Sequence, residues 1–293
     1  MKNKIKRSTM SKAFDFSNHL FLLILALLTF FPIYYVFIVS ITDPVQYLKT
    51  NLLLYPKGIT FENYKYLLAT PLFSRAIGVS TFLATVGTAL SLLVTSALAY
   101  ALSRKRLMGR KVLLIAVVFT TIFNAGMIPN YMVVRQFGLM NSVWSLIIPA
   151  LSSGWNLLLL KSFFDSIPES LEEAAIIDGC NDVQVFSRII LPLSLPAMAT
   201  FGLFFAVTYW NTFFNAILYI NDFKKWPLQI VLNVLLLDTS SQGSGNPDAA
   251  AQIVNPQSLK MAAIIIATVP IMCVYPFLQK HFTKGVMLGS VKG

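Results

Sequence analysis

Charge is what this sequence has least of. Only 12% of its 293 residues are Asp, Glu, Lys or Arg, about half the roughly 25% of a typical soluble domain. Six apolar runs, at 20–41, 76–102, 112–134, 136–160, 197–220 and 261–278, contain no charged residue at all. A bilayer-crossing helix needs about 20 mostly apolar residues, so the expected fold is all-α with six transmembrane helices. The same absence removes the buried acids and bases that gradient-driven carriers use as relays. It also leaves no acid–base pair for a hydrolase working at membrane depth.

Other absences narrow the field further. There are two cysteines, Cys180 and Cys273, with no CxxC, and two histidines, His19 and His281. A metal site therefore has no ligand cluster to draw on. No G-x4-GK[ST] loop occurs, so ATP is not bound by that route. Energy for any transport must come from another subunit or from an ion gradient. The first run lacks a small-x-small cleavage site, ends in Ile41-Thr42-Asp43-Pro44 and is 22 residues long, which marks a retained helix rather than a secretory signal. No internal repeat or low-complexity tract stands out.

Basic residues are present, with a formal net charge of +11. They cluster in short patches beside the apolar runs, as topology signals at an anionic membrane face do. This distribution points to membrane lipid and not to nucleic acid. Counting Lys and Arg in alternate loops gives 15 on the side that holds both termini and eight on the other. The bias places both termini and the loop 161–196 in the cytoplasm, with Arg104 to Lys111 as the strongest local vote. On the outer side, 42–75 is expected to pack as a cap. In 221–260, the apolar piece 226–237 suits a helix at the outer surface, and 239–247 suits a mobile loop. Runs three and four, divided by little more than Arg135, are expected to form a tight helical hairpin.

The loop 161–196 carries the densest local signals. Ser166-Ile-Pro-Glu169 fits a capping box with a proline in the first turn. Glu169, Glu172 and Glu173 favour a helix start. Leu171, Ala174 and Ala175 share one face, and the paired alanines permit close approach of another surface. Gly179 supplies a break where positive φ carries no side-chain strain. Asn181 or Asp182 can cap a second helix, with Phe186, Ile189 and Ile190 as its apolar face, before Pro192 and Pro196 lead into the fifth run. The pattern reads as a docking knob for a soluble partner, or as a plain helix–glycine–helix linker.

At this point the residues match a family signature. Glu173-Ala174-Ala175, three residues, Gly179, nine residues, Ile189, one residue and Leu191-Pro192 reproduce the EAA loop of ABC-importer permeases. Asp178-Gly179 and Phe186 resemble its sugar-importer variant; Cys180 departs from the usual alanine. Further stretches similar to the maltose-importer-related carbohydrate permeases are Phe123 to Pro129, Trp210 to Asn215 with Leu218 to Asp222, Pro227 to Gln229 and Gly289 to Gly293.

The resemblance implies a type I importer permease in the bacterial plasma (inner) membrane. It pairs with a second homologous permease subunit above two ATPase subunits, and an external solute-binding protein delivers sugar. ATP and Mg belong to the ATPase partner, and no cofactor is expected on this chain. Glu173, Ala174, Ala175, Asp178, Gly179 and Phe186 become the coupling positions, with Lys292 and Gly293 as secondary contacts from the tail. The domain plan is a cytoplasmic segment 1–19, a first helix with external loop 20–75, a core 76–279 and a tail 280–293. The branch it resembles serves larger oligosaccharides, acidic uronate chains among them. Eight basic residues against five acidic ones in the outer loops lean the same way.

Uncharged polar residues within the runs are candidates for the substrate pathway. Thr208, Asn211, Thr212 and Asn215 fall at i, i+3, i+4 and i+7, one face of a helical fifth run, beside Trp210. Trp155, Asn156 and Asn124 add an indole and two amides. Aromatic faces and amides suit sugar C–H faces and hydroxyls, while helix–helix hydrogen bonding is the competing role. Two alternatives stay open: an ABC permease for a non-sugar solute, and a membrane scaffold with no pathway of its own.

Overall fold

The computed structural model describes residues 9–43, 46–47, 53–56, 58–241 and 255–285. Lys292, Gly293 and residues 242–247 of the expected mobile loop lie outside them. Among the described residues the regular structure is helical, apart from an isolated antiparallel bridge between Thr42 and Ile59. Contacts divide the chain into two compact units, residues 1–67 with 236–266, and residues 68–235 with 267–293.

In the first unit, α1 (Thr9–Ile41) exposes most of its apolar side chains between Leu20 and Phe37, a surface suited to lipid. Burial begins in its last turn with Ile38 and Val39. There the following segment folds back over the helix end. The Tyr34 hydroxyl donates to the Leu54 carbonyl (2.7 Å) and the Ser40 hydroxyl meets that of Tyr64 (2.6 Å). Backbone bonds from Asp43 N–H to Gly58 (2.8 Å) and from Thr60 N–H to Ile41 (2.9 Å) close the cap. Next, α2 (Glu62–Ala69) leads to the second unit.

The second unit is organised by one long helix. Its segments are α3 (Pro71–Phe82), a π turn (Leu83–Gly87) and α4 (Thr88–Ser103), continuous over 33 residues. Pro71 sits in the first turn, where its missing N–H costs nothing. Then come α5 (Arg110–Ile122), α6 (Met127–Gln136), α7 (Trp144–Ile147) with a 3-10 turn to Ala150, and α8 (Gly154–Asp165). The loop helices are α9 (Glu169–Ile177), α10 (Asp182–Val185) with a π turn (Phe186–Ile190), and α11 (Leu191–Leu193). Last are α12 (Leu195–Trp210), α13 (Phe214–Tyr219), α14 (Leu228–Ser241) and α15 (Pro256–Gly285).

Among the described residues, three helices are long and apolar enough to cross a membrane, and three bent pairs bring the number to six. The count agrees with the six expected spans, three of them bent. The third run folds back by 120° between α5 and α6. The Asn124 side chain accepts the Gly126 N–H (2.9 Å), and Gly126 adopts φ +87°, ψ −178°, a region open essentially to glycine alone. Arg135 therefore lies inside α6, and the expected hairpin at that residue does not form. The fourth run bends by 49° between its 3-10 turn and α8. The fifth stops at Trp210, and residues 211–213 are non-helical before α13. Thr208, Asn211, Thr212 and Asn215 consequently do not share one helix face. Nor does α14 simply lie on a surface, since Leu228, Ile230, Val231 and Leu232 are buried.

Tyr209 ties three spans together. It is 2% exposed, its hydroxyl meets Ser91 Oγ (2.8 Å) and donates to the Ile147 carbonyl (3.4 Å). Its ring lies on Gly87, where an added Cβ would sit 2.8–3.0 Å from three ring carbons. Held at the hydroxyl, that ring cannot swing aside. Gly87→Ala should therefore lower stability by about 1–3 kcal/mol, seen as a reduced unfolding midpoint in detergent. Gly78→Ala, with open space around the new methyl, should show no loss in the same assay.

Candidate functional site

The loop 161–196 forms two helices joined by a glycine hinge. Its first boundary differs from expectation. Ser166 caps the end of α8, its hydroxyl bonded back to the Phe163 carbonyl (2.6 Å), and Pro168 precedes α9 with no side-chain cap. The expected Ser166–Glu169 capping box is absent, because α9 starts two residues later than that box requires, with Pro168 at its N-cap.

The far end of α9 follows the sequence closely. Gly179 takes φ +83°. Its N–H bonds the Ile176 carbonyl (3.0 Å) while Cys180 N–H bonds that of Ala175 (2.9 Å), the paired bonds of a Schellman motif. Asn181 then caps α10 with a full capping box: its side chain accepts from Gln184 N–H and Gln184 Oε1 accepts from Asn181 N–H, both at 2.9 Å. At Ser194 the chain turns by 84° into α12.

Glu172 sets the orientation of α9. It is 5% exposed, and such a buried carboxylate needs charged partners. Arg104 and Arg106 both supply them, Arg106 at 2.9 Å. Arg106 also reaches Asp182 on α10, and Lys105 pairs with Glu169 at 2.8 Å. Three consecutive basic residues thus strap both loop helices to the end of α4. The Arg104 guanidinium lies 4.7 Å over the Tyr100 ring, which packs on Phe186 with centroids 5.1 Å apart. Burial lowers the Arg104 pKa. Lys105, by hydrogen bond and charge, holds the exposed Glu169 carboxyl below its ordinary range. A depressed acid contributes above its unfolded pKa and fades as pH falls through the folded value, so this strand of the strap is intact at neutral pH.

The strap decides which coupling positions face out. Glu173, Ala174, Asp178 and Gly179 are exposed, and Ile177 is 85% exposed. Ala175 is buried and the half-buried Phe186 packs on Tyr100. The shared face expected for Leu171, Ala174 and Ala175 is likewise split, with only the first two exposed. The basic strap itself was missed as a site. Its signal was available, in three cations facing a loop rich in Glu and Asp on the same predicted side.

The substrate candidates do not converge on one wall. Trp210 is buried and donates its indole N–H to the Ala267 carbonyl (3.0 Å), a packing role. Asn124 is spent on the Gly126 turn, and Asn156 is half-buried near the Ser153 cap of α8. Trp155 is exposed. Asn211 and Asn215 are exposed around the break after α12, with Gln229 Nε2 3.4 Å from Asn211 Oδ1. Among the described residues no group of three or more His, Cys, Asp or Glu is placed to hold a metal.

Residues 91–288 match the model of a family described as binding-protein-dependent transport system inner membrane component. The chain is 45% identical over 290 residues to the polygalacturonan/rhamnogalacturonan transport system permease protein YtcP of Bacillus subtilis (strain 168), covering 97% of this chain and 99% of that one. It superimposes with a TM-score of 0.88 and 32% identity on a chain of a bacterial ABC transporter involved in import of the acidic polysaccharide alginate, covering 95% of this chain and all of the other. A chain of the alginate transporter crystallised with a pentasaccharide-bound periplasmic protein shares the fold at TM-score 0.59 and 17% identity, over 92% and 94% of the two chains.

Removing one partner from a buried ion pair costs about 3 kcal/mol or more. Glu172→Gln should therefore destabilise the chain by about that amount, while Glu173→Gln, on the exposed face, should stay within about 0.5 kcal/mol. Unfolding midpoints in detergent compare the two. Equal effects would show that the strap does not hold α9.

Proposed function

The chain belongs to the binding-protein-dependent transport system inner membrane components, as a multi-pass permease of a carbohydrate ABC importer, and from this premise we propose how it couples and what it carries. It pairs with a second permease to enclose the pathway, and it takes energy from ATPase subunits that hold ATP and Mg. Both termini and the loop 161–196 face the cytoplasm. The sugar is an acidic oligosaccharide delivered by an external binding protein, a reading supported by the likeness to a polygalacturonan/rhamnogalacturonan permease and to an alginate importer.

One observation carries the coupling role: α9 is clamped on one face and bare on the other. Glu173, Ala174, Asp178 and Gly179 present a short rigid ridge to an ATPase cleft, while Glu172 and Ala175 fix the ridge to the body. A push on the ridge passes through the buried Val185 and Ile190 to the turn at Ser194. From there α12 runs to Tyr209, where three spans meet. The chain thus acts as a lever and carries no covalent chemistry of its own.

Asn211 and Asn215 are the substrate contacts this reading favours. They flank the break after α12, and non-helical backbone within a bilayer is tolerated where protein buries it or where it lines a polar cavity. Trp210, Asn124 and Asn156 serve structure instead.

Transport in proteoliposomes holding the whole complex tests the function. Oligogalacturonide uptake that needs ATP and the binding protein is expected; uptake of no saccharide would overturn it. Gly179→Val forces a β-branched residue into positive φ, a strain of about 1–3 kcal/mol. It should abolish uptake and stimulated ATPase activity while the subunit still inserts. Asn211→Leu should change saccharide-stimulated ATPase activity more than assembly, and collapse of assembly would restore the packing role.

A further inference from the structure

A second cationic feature lies at the other end of the long helix. From Arg75 to Ser103 the helix advances 28 residues, about 42 Å at 1.5 Å per residue. That exceeds the roughly 30 Å hydrocarbon core, so the two ends stand on opposite sides of a membrane. Near Arg75 is a cleft of about 550 Å³, lined by Arg75, Val79 and Phe82 of α3, Val143 and Trp144, and Lys224 with Lys225.

The cleft is built rather than incidental. Asn141, at φ +59°, accepts from Asp222 N–H (2.9 Å) and from Lys225 Nζ (2.8 Å), and donates its N–H to the Tyr219 carbonyl (2.7 Å). These bonds staple the turn before α7 to the turn after α13. Trp144 stands edge-on to Phe82, centroids 6.0 Å apart and planes at 87°. Asp222 lies 3.9 Å from Lys225 and offsets part of its charge. The exposed Arg75 and Lys224 side chains have no hydrogen-bond or ion-pair partner among the described residues.

The lining chooses between two occupants. A saccharide would need several polar groups for its hydroxyls, yet besides the three cations the lining offers a single hydroxyl, Ser142 Oγ, which accepts from Trp144 N–H (3.3 Å), and no side-chain amide. An apolar floor with a charged rim is instead the anatomy of a protein interface. We propose that this cleft seats an apolar knob flanked by carboxylates on the external solute-binding protein. Arg75 and Lys224 meet the carboxylates, and Trp144 with Val79 takes the apolar group. This rests on the binding-protein-dependent, outward-facing reading above.

The test uses the complete complex in nanodiscs, with ATPase activity followed against concentration of its saccharide-loaded binding protein. Arg75→Glu with Lys224→Glu should raise the half-saturating concentration about tenfold or more, because like charges would face one another. The plateau rate should be unchanged, and the wild-type half-saturation should rise with salt more steeply than the variant's. Acid-to-lysine changes on the binding protein should restore the variant. Arg75→Gln with Lys224→Gln, a milder pair should the reversal fail to insert, should give a smaller shift in the same direction. Unchanged half-saturation in both pairs would overturn the proposal. So would a lowered plateau at unchanged half-saturation, which would assign the cleft to the saccharide. If the wild-type complex ignores its binding protein, the reading beneath fails, and the cleft proposal falls with it.

Discussion

A carboxylate taken out of water must be met by charge, and Glu172 is where this chain accepts that cost. Its two guanidinium partners come from a segment more than sixty residues earlier in the chain. The pair fixes α9 in rotation as well as in position, because a helix turns 100° per residue. Were Glu172 neutral and free, nothing comparable would prevent Ile177 from rolling inward and Glu173 from rolling away. The exposed ridge proposed as the coupling surface is therefore a consequence of the buried pair. Stacking of Arg104 on Tyr100, and of Tyr100 on Phe186, carries the same constraint into α10.

Below the strap the spans follow a different rule. Apart from Arg135 in the last turn of α6, their apolar runs hold no charge, so their association rests on packing and uncharged hydrogen bonds, which are modest individually in membranes. Tyr209 concentrates several of these at one point, with Gly87 allowing the close approach. Away from that point the spans are broken. The 120° turn at Asn124 to Gly126 and the loss of helix after Trp210 leave backbone groups that only protein or water can satisfy. A rigid knot beside broken segments is a mechanical arrangement in which parts can move without the whole unfolding.

Much of this was legible in the sequence and some was not, for identifiable reasons. The six runs were visible because missing charge is a strong signal. Gly179 and Asn181 were visible because helix ends obey short-range chemistry: positive φ at one, a reciprocal cap at the other. The breaks were hidden. Asn124, Gly126 and Asn211 are uncharged, so hydropathy passes over them, and a dipeptide turn inside an apolar run looks like more helix. The Ser166 box failed because Ser166 is the C-cap of α8, so α9 starts only after Pro168. The strap was hidden by distance, since Arg104 and Glu172 meet only after four helices have folded. In the sequence the basic loop carries a topology signal, and what its charges touch is set only by the fold. The burial of Ala175 and the packing of Phe186 on Tyr100 were hidden for the same reason, since only the strap tells which residues of a short motif face in.

The two cationic ends of the long helix invite one further step. Between Arg75 and Tyr100 the long helix has no titratable side chain to relay protons, so whatever passes along it must be displacement. The helix from Pro71 to Ser103 is continuous except for a π turn at Leu83–Gly87, and that turn is where Tyr209 bears on it. A π turn is a local fault in the helical ladder, and such faults are frequent at functional sites. Here the fault lies between the cleft at Arg75 and the strap at Arg104. Its inner neighbour is the same tyrosine on which α12 ends. A movement of α12 driven from the loop and a movement of α3 driven from the cleft would thus meet at one contact, and the absence of a side chain at Gly87 is what lets them bear directly on each other.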